Sequence, residues 1–280
     1  MRHDSMLLIM FLLLEIAFAV CFISCAVSAV SIGLSNEPKC VYCGSVWLRV
    51  EGSTQTLFEG RVSASPNNIT LPSSNGTHHC DGTNNNANPY RGTTATNYLL
   101  EASSQPWPSK LPKFTVDGLW YEQFDDFLIT RVGTDIQTRT TSWDLLVNWK
   151  FAEVGGCQIQ PNGQLQVLWA YGAYTAGRFL DIAMDVNFDH ENHRIKVAVG
   201  EPILYFVRDL KTGTLVEGAS LLARGFLSNA VEEVIYPVGR TTNSSGTIQV
   251  HFRRPGYFRV KAEREGDLRS IGLAVLVVPM

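Results

Sequence analysis

The chain has 280 residues, of which 45% are apolar and only 18% are charged, and its formal net charge is −3. This composition excludes a disordered tail, a collagen-like chain and the usual strongly basic nucleic-acid-binding protein. The charged fraction is below the roughly 25% of an average soluble domain, which favours a β-rich, extracellular type of chain. The length is sufficient for one or two domains with hydrophobic cores.

An almost unbroken apolar run occupies residues 6–30, shortly after Arg2. Small residues near its end fit the pattern that signal peptidase cleaves, so residues 1–30 are predicted to be a signal peptide. The alternative is an uncleaved signal anchor, since a run of this length can cross a bilayer of roughly 30 Å. Glu15 opposes the anchor, because a carboxylate near the middle of a span costs about 2–3 kcal/mol. Residues 31–44 form a short N-terminal segment.

Cysteines and glycosylation sequons point to the same compartment. The cysteines after the apolar run are Cys40, Cys43, Cys80 and Cys157. An even number in a chain that enters the secretory pathway favours two disulfides, with three possible connectivities. Asn-X-Ser/Thr sequons begin at Asn68, Asn75 and Asn243. We therefore expect a secreted or lumenal glycoprotein, or a membrane-anchored one if residues 6–30 are not cleaved.

The first predicted elements after the apolar run are a hairpin, a long polar segment and a helix. Residues 45–50 alternate apolar and other side chains and predict a strand, with residues 56–60 as its partner. Residues 63–97 are rich in Pro, Asn, Gly, Ser and Thr and are far longer than a usual connection. They are either a mobile linker or a functional loop pinned by something such as a disulfide through Cys80. Residues 96–104 predict a short helix.

Aromatic residues are concentrated between residues 114 and 174. Residues 126–133, 143–151 and 164–172 alternate in the manner of half-buried strands. The rings either form an aromatic core or include some that line a groove. The candidate ligand-binding residues are Trp120, Tyr121, Trp143, Trp149, Trp169 and Tyr171, with Asn148 and Asp125 as polar groups that would fix the orientation of a ligand.

Seven short strand candidates follow residue 195, separated by turn signals at near-regular spacing. They begin at Ile203, Thr214, Ala219, Glu233, Thr247, Tyr257 and Ile271. This pattern is typical of a small antiparallel β-sandwich, here over residues 196–280.

Ordered motifs across residues 45–278 resemble a secreted bacterial and fungal family of transcobalamin-like C-terminal domains of unknown function. They read VWLRVEGSTQTLFEG, HHCDGTNNNANP, DGLWYEQFDDFLITRVG, WDLLVN, VGGCQ and VLWAYGA, and TGTLVEGAS and PGYFRVKAE match the small sandwich that often follows that domain. The resemblance implies a mainly β protein: a transcobalamin-C-terminal-like domain over residues 45–195, then an immunoglobulin-like or prealbumin-like sandwich. It also implies a Cys80–Cys157 disulfide, which leaves Cys40 and Cys43 over.

Two clusters contain residue types that bind metals, but neither predicts a metal site. The first is His78, His79, Cys80 and Asp81, and an oxidised Cys80 cannot bind a metal ion. The second is Asp181, Asp185, Asp189, His190 and His193, which is more typical of a solvated connector. We expect no metal and no cofactor.

Asp125 and Asp126 are the candidate catalytic residues. Adjacent residues of a strand point to opposite faces, so these two cannot act as a close pair. One of them, facing an aromatic groove, is the best candidate for a catalytic or substrate-orienting carboxylate. The glycines form neither a nucleophile elbow nor a phosphate-binding or dinucleotide-binding fingerprint.

Three functional hypotheses remain, and whether the protein is an enzyme stays open. The first is binding of a hydrophobic or ring-shaped small molecule in an aromatic-lined cleft. The second is a cofactor-free cyclase, or an accessory subunit, of fungal secondary-metabolite biosynthesis that shapes an apolar polyene-like substrate, chemistry that needs mainly proximity. The third is a glycosylated surface adhesion protein. The expected partners are a hydrophobic small molecule and other pathway or membrane proteins, but no nucleic acid.

Overall fold

A computed structural model describes residues 44–104, 113–161, 165–185, 195–225, 235–236 and 240–280. In this part the chain is mainly β, as predicted, with small sheets and a short α-helix. The predicted signal segment, residues 31–43 and with them Cys40 and Cys43 lie outside the described residues. Among those described, no helix is long and apolar enough to cross a membrane.

A five-stranded sheet organises the N-terminal half. Its strands, in spatial order, are β2 (Thr56–Ser63), β1 (Ser45–Glu51), β10 (Gln166–Tyr171), β8 (Trp143–Val147) and β9 (Lys150–Phe151). β1 pairs with β2 as the predicted hairpin and with β10 in parallel. Val50, Trp169 and Leu145 are neighbours in the register and belong to one buried core. Cross-strand neighbours share a face, so this face of the sheet carries the N-terminal core.

The polar segment over residues 63–97 is an ordered loop held in place by a disulfide, not a mobile linker. It contains the hairpin of β3 (Asn67–Thr70) and β4 (Thr77–Cys80), and a disulfide joins Cys80 to Cys157. Helix α1 (Ala95–Ser104) follows and begins one residue earlier than predicted. Its N-terminus is capped by Thr94, whose hydroxyl accepts a hydrogen bond from Asn97 N at 3.2 Å, while Asn97 Oδ1 accepts one from Thr94 N at 2.9 Å.

A three-stranded sheet covers the same core. It consists of β5 (Val116–Tyr121), β6 (Asp126–Val132) and β7 (Asp135–Ile136). On its side away from β5, β6 pairs with β7 only at Arg131 and Val132. The residues of β6 before Arg131 therefore have no partner among the described strands on this side, and they lie beside the five-stranded sheet.

The C-terminal half is a sandwich of two four-stranded sheets. One has the order β11 (Leu180–Met184), β13 (Ile203–Asp209), β16 (Thr247–Phe252) and β15 (Ile235–Tyr236). The other has the order β12 (Ile195–Ala198), β18 (Leu273–Val278), β17 (Gly256–Glu263) and β14 (Ser220–Gly225). The sandwich is not wholly antiparallel, because β12 and β18 run parallel. β11 belongs to it although it precedes residue 195, and the candidate at Thr214 makes only a single bridge, Leu215 to Arg208.

Candidate functional site

An apolar groove of about 380 Å³ lies between β6 and the β8–β9 hairpin. Its floor is made of buried rings and aliphatic side chains: Phe127, Ile129, Trp143, Leu145 and Trp169. Phe127 and Ile129 face the core from β6 and form part of the floor, and Leu128, which lies between them and is exposed, also lines the groove. The groove is concave and mostly apolar, as small-molecule sites commonly are.

Large apolar side chains are also exposed along the rim of the groove. The exposed fractions are 37% for Leu128, 38% for Phe151, 47% for Val154 and 79% for Tyr174. The rings of Phe151 and Tyr174 meet edge to face, with centroids 5.8 Å apart. Clustered exposure of this kind marks an interaction surface more often than scattered single residues do.

A tight turn places Phe151 on the rim. Residues 143–151 do not form the single strand that the sequence predicts, because Asn148 and Trp149 have φ values of 48° and 67° and form a two-residue turn between β8 and β9. Asn148 N donates to Gln166 O at 2.9 Å, and Asn148 Oδ1 accepts from Gln166 N at 3.0 Å. Asn148 therefore anchors a hairpin and does not line the groove.

Asp144 provides the carboxylate that lines the groove. Its Oδ1 accepts a hydrogen bond from Ser142 Oγ at 2.6 Å, and its Oδ2 accepts one from Tyr174 N at 2.8 Å. The second bond fixes the backbone that carries the exposed Tyr174 ring. Asp144 thus holds the rim in place and brings a negative charge to the edge of an otherwise apolar site.

Asp126 is buried behind Gly155, which lines the groove. Its carboxylate accepts hydrogen bonds from Phe127 N at 2.7 Å, from Cys157 N at 3.1 Å and from Gln158 Nε2 at 3.3 Å. A Cβ at position 155 would overlap this carboxylate, which explains the glycine. Burial raises the pKa of Asp126 to about 6, against the lowering effect of these donors. The position makes Asp126 a support for the turn that carries Cys157.

The carboxylates of Asp125 and Asp126 have different partners, in line with the expectation that the two are not a close pair. It has a left-handed backbone with φ of 49° and closes the short 3₁₀ turn over residues 122–124. Asp125 Oδ1 lies 2.8 Å from His79 Nε2, and Asp125 Oδ2 accepts a hydrogen bond from Asn85 N at 2.6 Å. Neither aspartate lines the groove.

The other predicted aromatic residues lie in separate places. Trp120 stacks on His78 with ring centroids 4.2 Å apart, and Tyr121 lies beside Phe124. Tyr171 packs against the Trp143 ring at 5.5 Å and donates to Ile136 O. Trp149 lies under the guanidinium of Arg49.

Of the predicted ligand-binding residues, Trp143 and Trp169 line the groove. The structure adds Phe151 and Tyr174 to them. Both belong to the aromatic-rich segment, but only the hairpin turn and the Asp144 contact bring them to the same rim.

The three sequon asparagines are all exposed. Asn68 lies on β3, Asn75 in the β3–β4 turn with φ of 56°, and Asn243 in a turn before β16. Within the described ranges, no group of three His, Cys, Asp or Glu residues is placed to hold a metal ion. His190 and His193 lie outside those ranges.

Comparison with known proteins identifies no family. No protein-family model and no curated protein matches the chain. A solved structure entitled "Crystal structure of the S-layer protein SbsC domains 4 and 5" aligns with 54% of this chain and 85% of its own, at 14% identity and a TM-score of 0.23. A TM-score this low supports no argument about fold or function.

Proposed function

We propose that the protein binds a hydrophobic or ring-shaped small molecule in the groove between β6 and the β8–β9 hairpin. The observation that carries the proposal is the rim of exposed large apolar side chains around a floor of two tryptophans. The volume of about 380 Å³ falls in the range of about 300–1,000 Å³ that is usual for ligand sites. Covering apolar surface on the order of 200 Å², roughly that of one large aromatic side chain, contributes about 5 kcal/mol before the cost of association.

We further propose that the protein works in the secretory pathway as a disulfide-bonded glycoprotein. The apolar residues 6–30, the Cys80–Cys157 disulfide and the exposure of the three sequon asparagines support this location. The motif resemblance to transcobalamin-like C-terminal domains belongs to the same proposal. It implies a β-rich module that presents a surface to a ligand.

Intrinsic tryptophan fluorescence tests the binding proposal, because Trp143 and Trp169 form the floor of the groove. The purified protein is titrated with retinol as an apolar polyene, cobalamin as a corrinoid and maltoheptaose as a carbohydrate. We expect a saturable change with an apolar probe and no change with maltoheptaose. An unchanged signal with retinol and cobalamin would refute the proposal.

A matched pair of variants locates the response on the rim. Tyr174→Ser removes the most exposed ring of the groove, whereas Tyr90→Ser removes a ring that is 59% exposed elsewhere. We expect roughly tenfold weaker binding for Tyr174→Ser, which corresponds to about 1.4 kcal/mol, and unchanged binding for Tyr90→Ser. Equal weakening in both variants would mean that the probe binds exposed rings without selectivity.

A further inference from the structure

Arg49 is a buried cation on the opposite face of the five-stranded sheet from the groove. Its register neighbours are Leu168 on β10 and, next to that, Leu146 on β8, both in a separate buried cluster. Only 3% of the Arg49 side chain is exposed. The guanidinium carbon lies 4.9 Å from the centroid of the Trp149 ring, and Nε lies 3.5 Å from Glu51 Oε1.

The two terminal nitrogens of Arg49 are buried and have no hydrogen-bond partner in the described part of the chain. Nη1 and Nη2 contact no acceptor among the residues that the structure describes. Leaving a buried donor unsatisfied costs about 1–3 kcal/mol, and more when the group is charged. A partner for these nitrogens is therefore expected.

A small cavity adjoins the guanidinium. It is lined by Trp47, Arg49, Trp149, Gln166, Val167, Leu168 and Ile271. Its volume of about 10 Å³ is close to the roughly 10–15 Å³ that one water-sized particle needs. Ile271 comes from the C-terminal half, so the cavity lies where the five-stranded sheet meets the segment before β18.

The side chains around the cavity are rich in donors. The guanidinium of Arg49 and the indoles of Trp47 and Trp149 can only donate hydrogen bonds, the Gln166 amide has both a donor and an acceptor, and no carboxylate is among the described lining residues. A water molecule would need acceptors for its own two protons. Gln166 has a single side-chain oxygen for these protons, whereas an anion can accept hydrogen bonds from both terminal nitrogens of Arg49 and carries the opposite charge.

The charge balance around Arg49 also favours an anion. Glu51 is bound by Lys261 Nζ and, at 3.0 Å, by Arg269 Nε, while Glu59 accepts from Lys261 Nζ at 2.8 Å. Among the described residues, Arg49, Lys261 and Arg269 thus face two buried carboxylates, which is an excess of one positive charge.

Further half-buried charged groups lie near this cluster. Arg259 donates through Nη1 to Glu59 O at 3.0 Å and adds another positive charge. Arg224 is close enough to Arg269 and Glu51 to interact electrostatically, and Glu263 offsets its charge. Among the described residues, these groups add two cations and one carboxylate to the cluster.

We propose that this cavity is a binding site for one halide-sized anion, held by Nη1 and Nη2 of Arg49. The class of ligand is a monovalent, monoatomic anion, of which chloride is the abundant member in a secretory compartment. The anion compensates the excess positive charge and supplies the acceptor that the guanidinium lacks. Occupancy of the site stabilises the contact between the five-stranded sheet and the C-terminal half.

Thermal unfolding of the purified protein tests the site. The unfolding midpoint is measured in sodium chloride, sodium bromide and sodium gluconate at the same pH and ionic strength. We expect a saturable rise of about 2–4 °C in the two halides relative to gluconate, whose anion is too large for the cavity. Equal midpoints in halide and gluconate would overturn the proposal.

Variants and a crystal structure separate a built site from a general salt effect. Arg49→Met should abolish the halide-dependent rise, whereas Arg91→Met, which removes a half-buried ion pair with Asp81 outside the cavity lining, should keep it. If Arg49→Met does not fold, anomalous scattering from crystals of the unaltered protein grown with bromide shows whether the anion occupies the cavity. A bromide peak beside Arg49 supports the site. A water, or a side chain from residues 162–164, in that place overturns it. A peak without any effect on the midpoint means an adventitious ion only and also overturns it.

Discussion

Replacement of Asp126 by Asn should change how the stability of the protein depends on pH. The pKa of Asp126 rises from 3.8 in the unfolded chain to about 6 in the folded protein, because burial disfavours the charged form. Well below pH 3.8 the carboxyl is protonated in both the folded and the unfolded state, so it does not make the free energy of unfolding depend on pH. As the pH rises from about 4 to 6, the unfolded state loses this proton first, so the folded state is progressively destabilised.

The size of the effect follows from the shift in pKa. About two pKa units at 1.36 kcal/mol per unit give about 3 kcal/mol of destabilisation above pH 6. Asn at this position is neutral at every pH and keeps an oxygen that accepts from Phe127 N and Cys157 N. The free energy of unfolding of Asp126→Asn, relative to the unaltered protein, should therefore rise by about 2–2.5 kcal/mol between pH 4 and pH 7, because at pH 4 the unfolded chain has already lost part of this proton.

Urea unfolding followed by tryptophan fluorescence at pH 4, 5, 6 and 7, with the disulfide intact, measures this difference. Asp185→Asn removes an exposed carboxylate of the same type and is the matched control. A difference for Asp126→Asn that stays constant over this range, or falls toward pH 7, would refute the reasoning. It would mean that the amide donors outweigh burial and that the carboxylate is charged in the folded protein.

Two further predictions concern what holds the described fold together. Lys261→Met should lower the free energy of unfolding by about 3–5 kcal/mol, because it leaves the buried carboxylates of Glu51 and Glu59 without their shared cation. Urea unfolding measures this loss. The additional change Glu59→Gln should restore part of the lost stability. A loss under 1 kcal/mol would show that the buried cluster adds little. Cys80→Ser combined with Cys157→Ser should cost about 4–5 kcal/mol, as expected for a crosslink that spans 77 residues, and an unfolding midpoint that does not change on reduction of the unaltered protein would contradict this.

The sequence predicts those elements whose patterns are local. The strand over residues 45–50, the helix predicted over residues 96–104 and the C-terminal strands predicted near Ile203, Ala219, Thr247, Tyr257 and Ile271 appear in the structure, because side-chain periodicity reports which face of an element is buried. The candidate at Thr214 forms only a single bridge. The turn at Asn148 and Trp149 shows where this fails. Its residues fit the alternation of the flanking strand, and only their positive φ values make a hairpin of it.

The candidate site is predictable only in part, because it depends on contacts between distant segments. Trp143 and Trp169 occur in alternating strands, and their aromatic character suggests a groove. Phe151 and Tyr174 join them through the β8–β9 turn and through the bond from Tyr174 N to Asp144. The ionic cluster around Glu51 is also invisible in the sequence, since Lys261 lies 210 residues away.

The central claim, that an apolar molecule occupies this groove, is tested most directly by the indole N–H resonances of the protein in a nitrogen-15 NMR titration with retinol. Replacement of single tryptophans by Phe assigns the signals. We predict saturable shifts of the Trp143 and Trp169 signals, which lie at the floor of the groove, and unchanged signals for Trp47 and Trp149 on the opposite face of the sheet. Shifts confined to Trp47 and Trp149, or no shift at all, would contradict the claim.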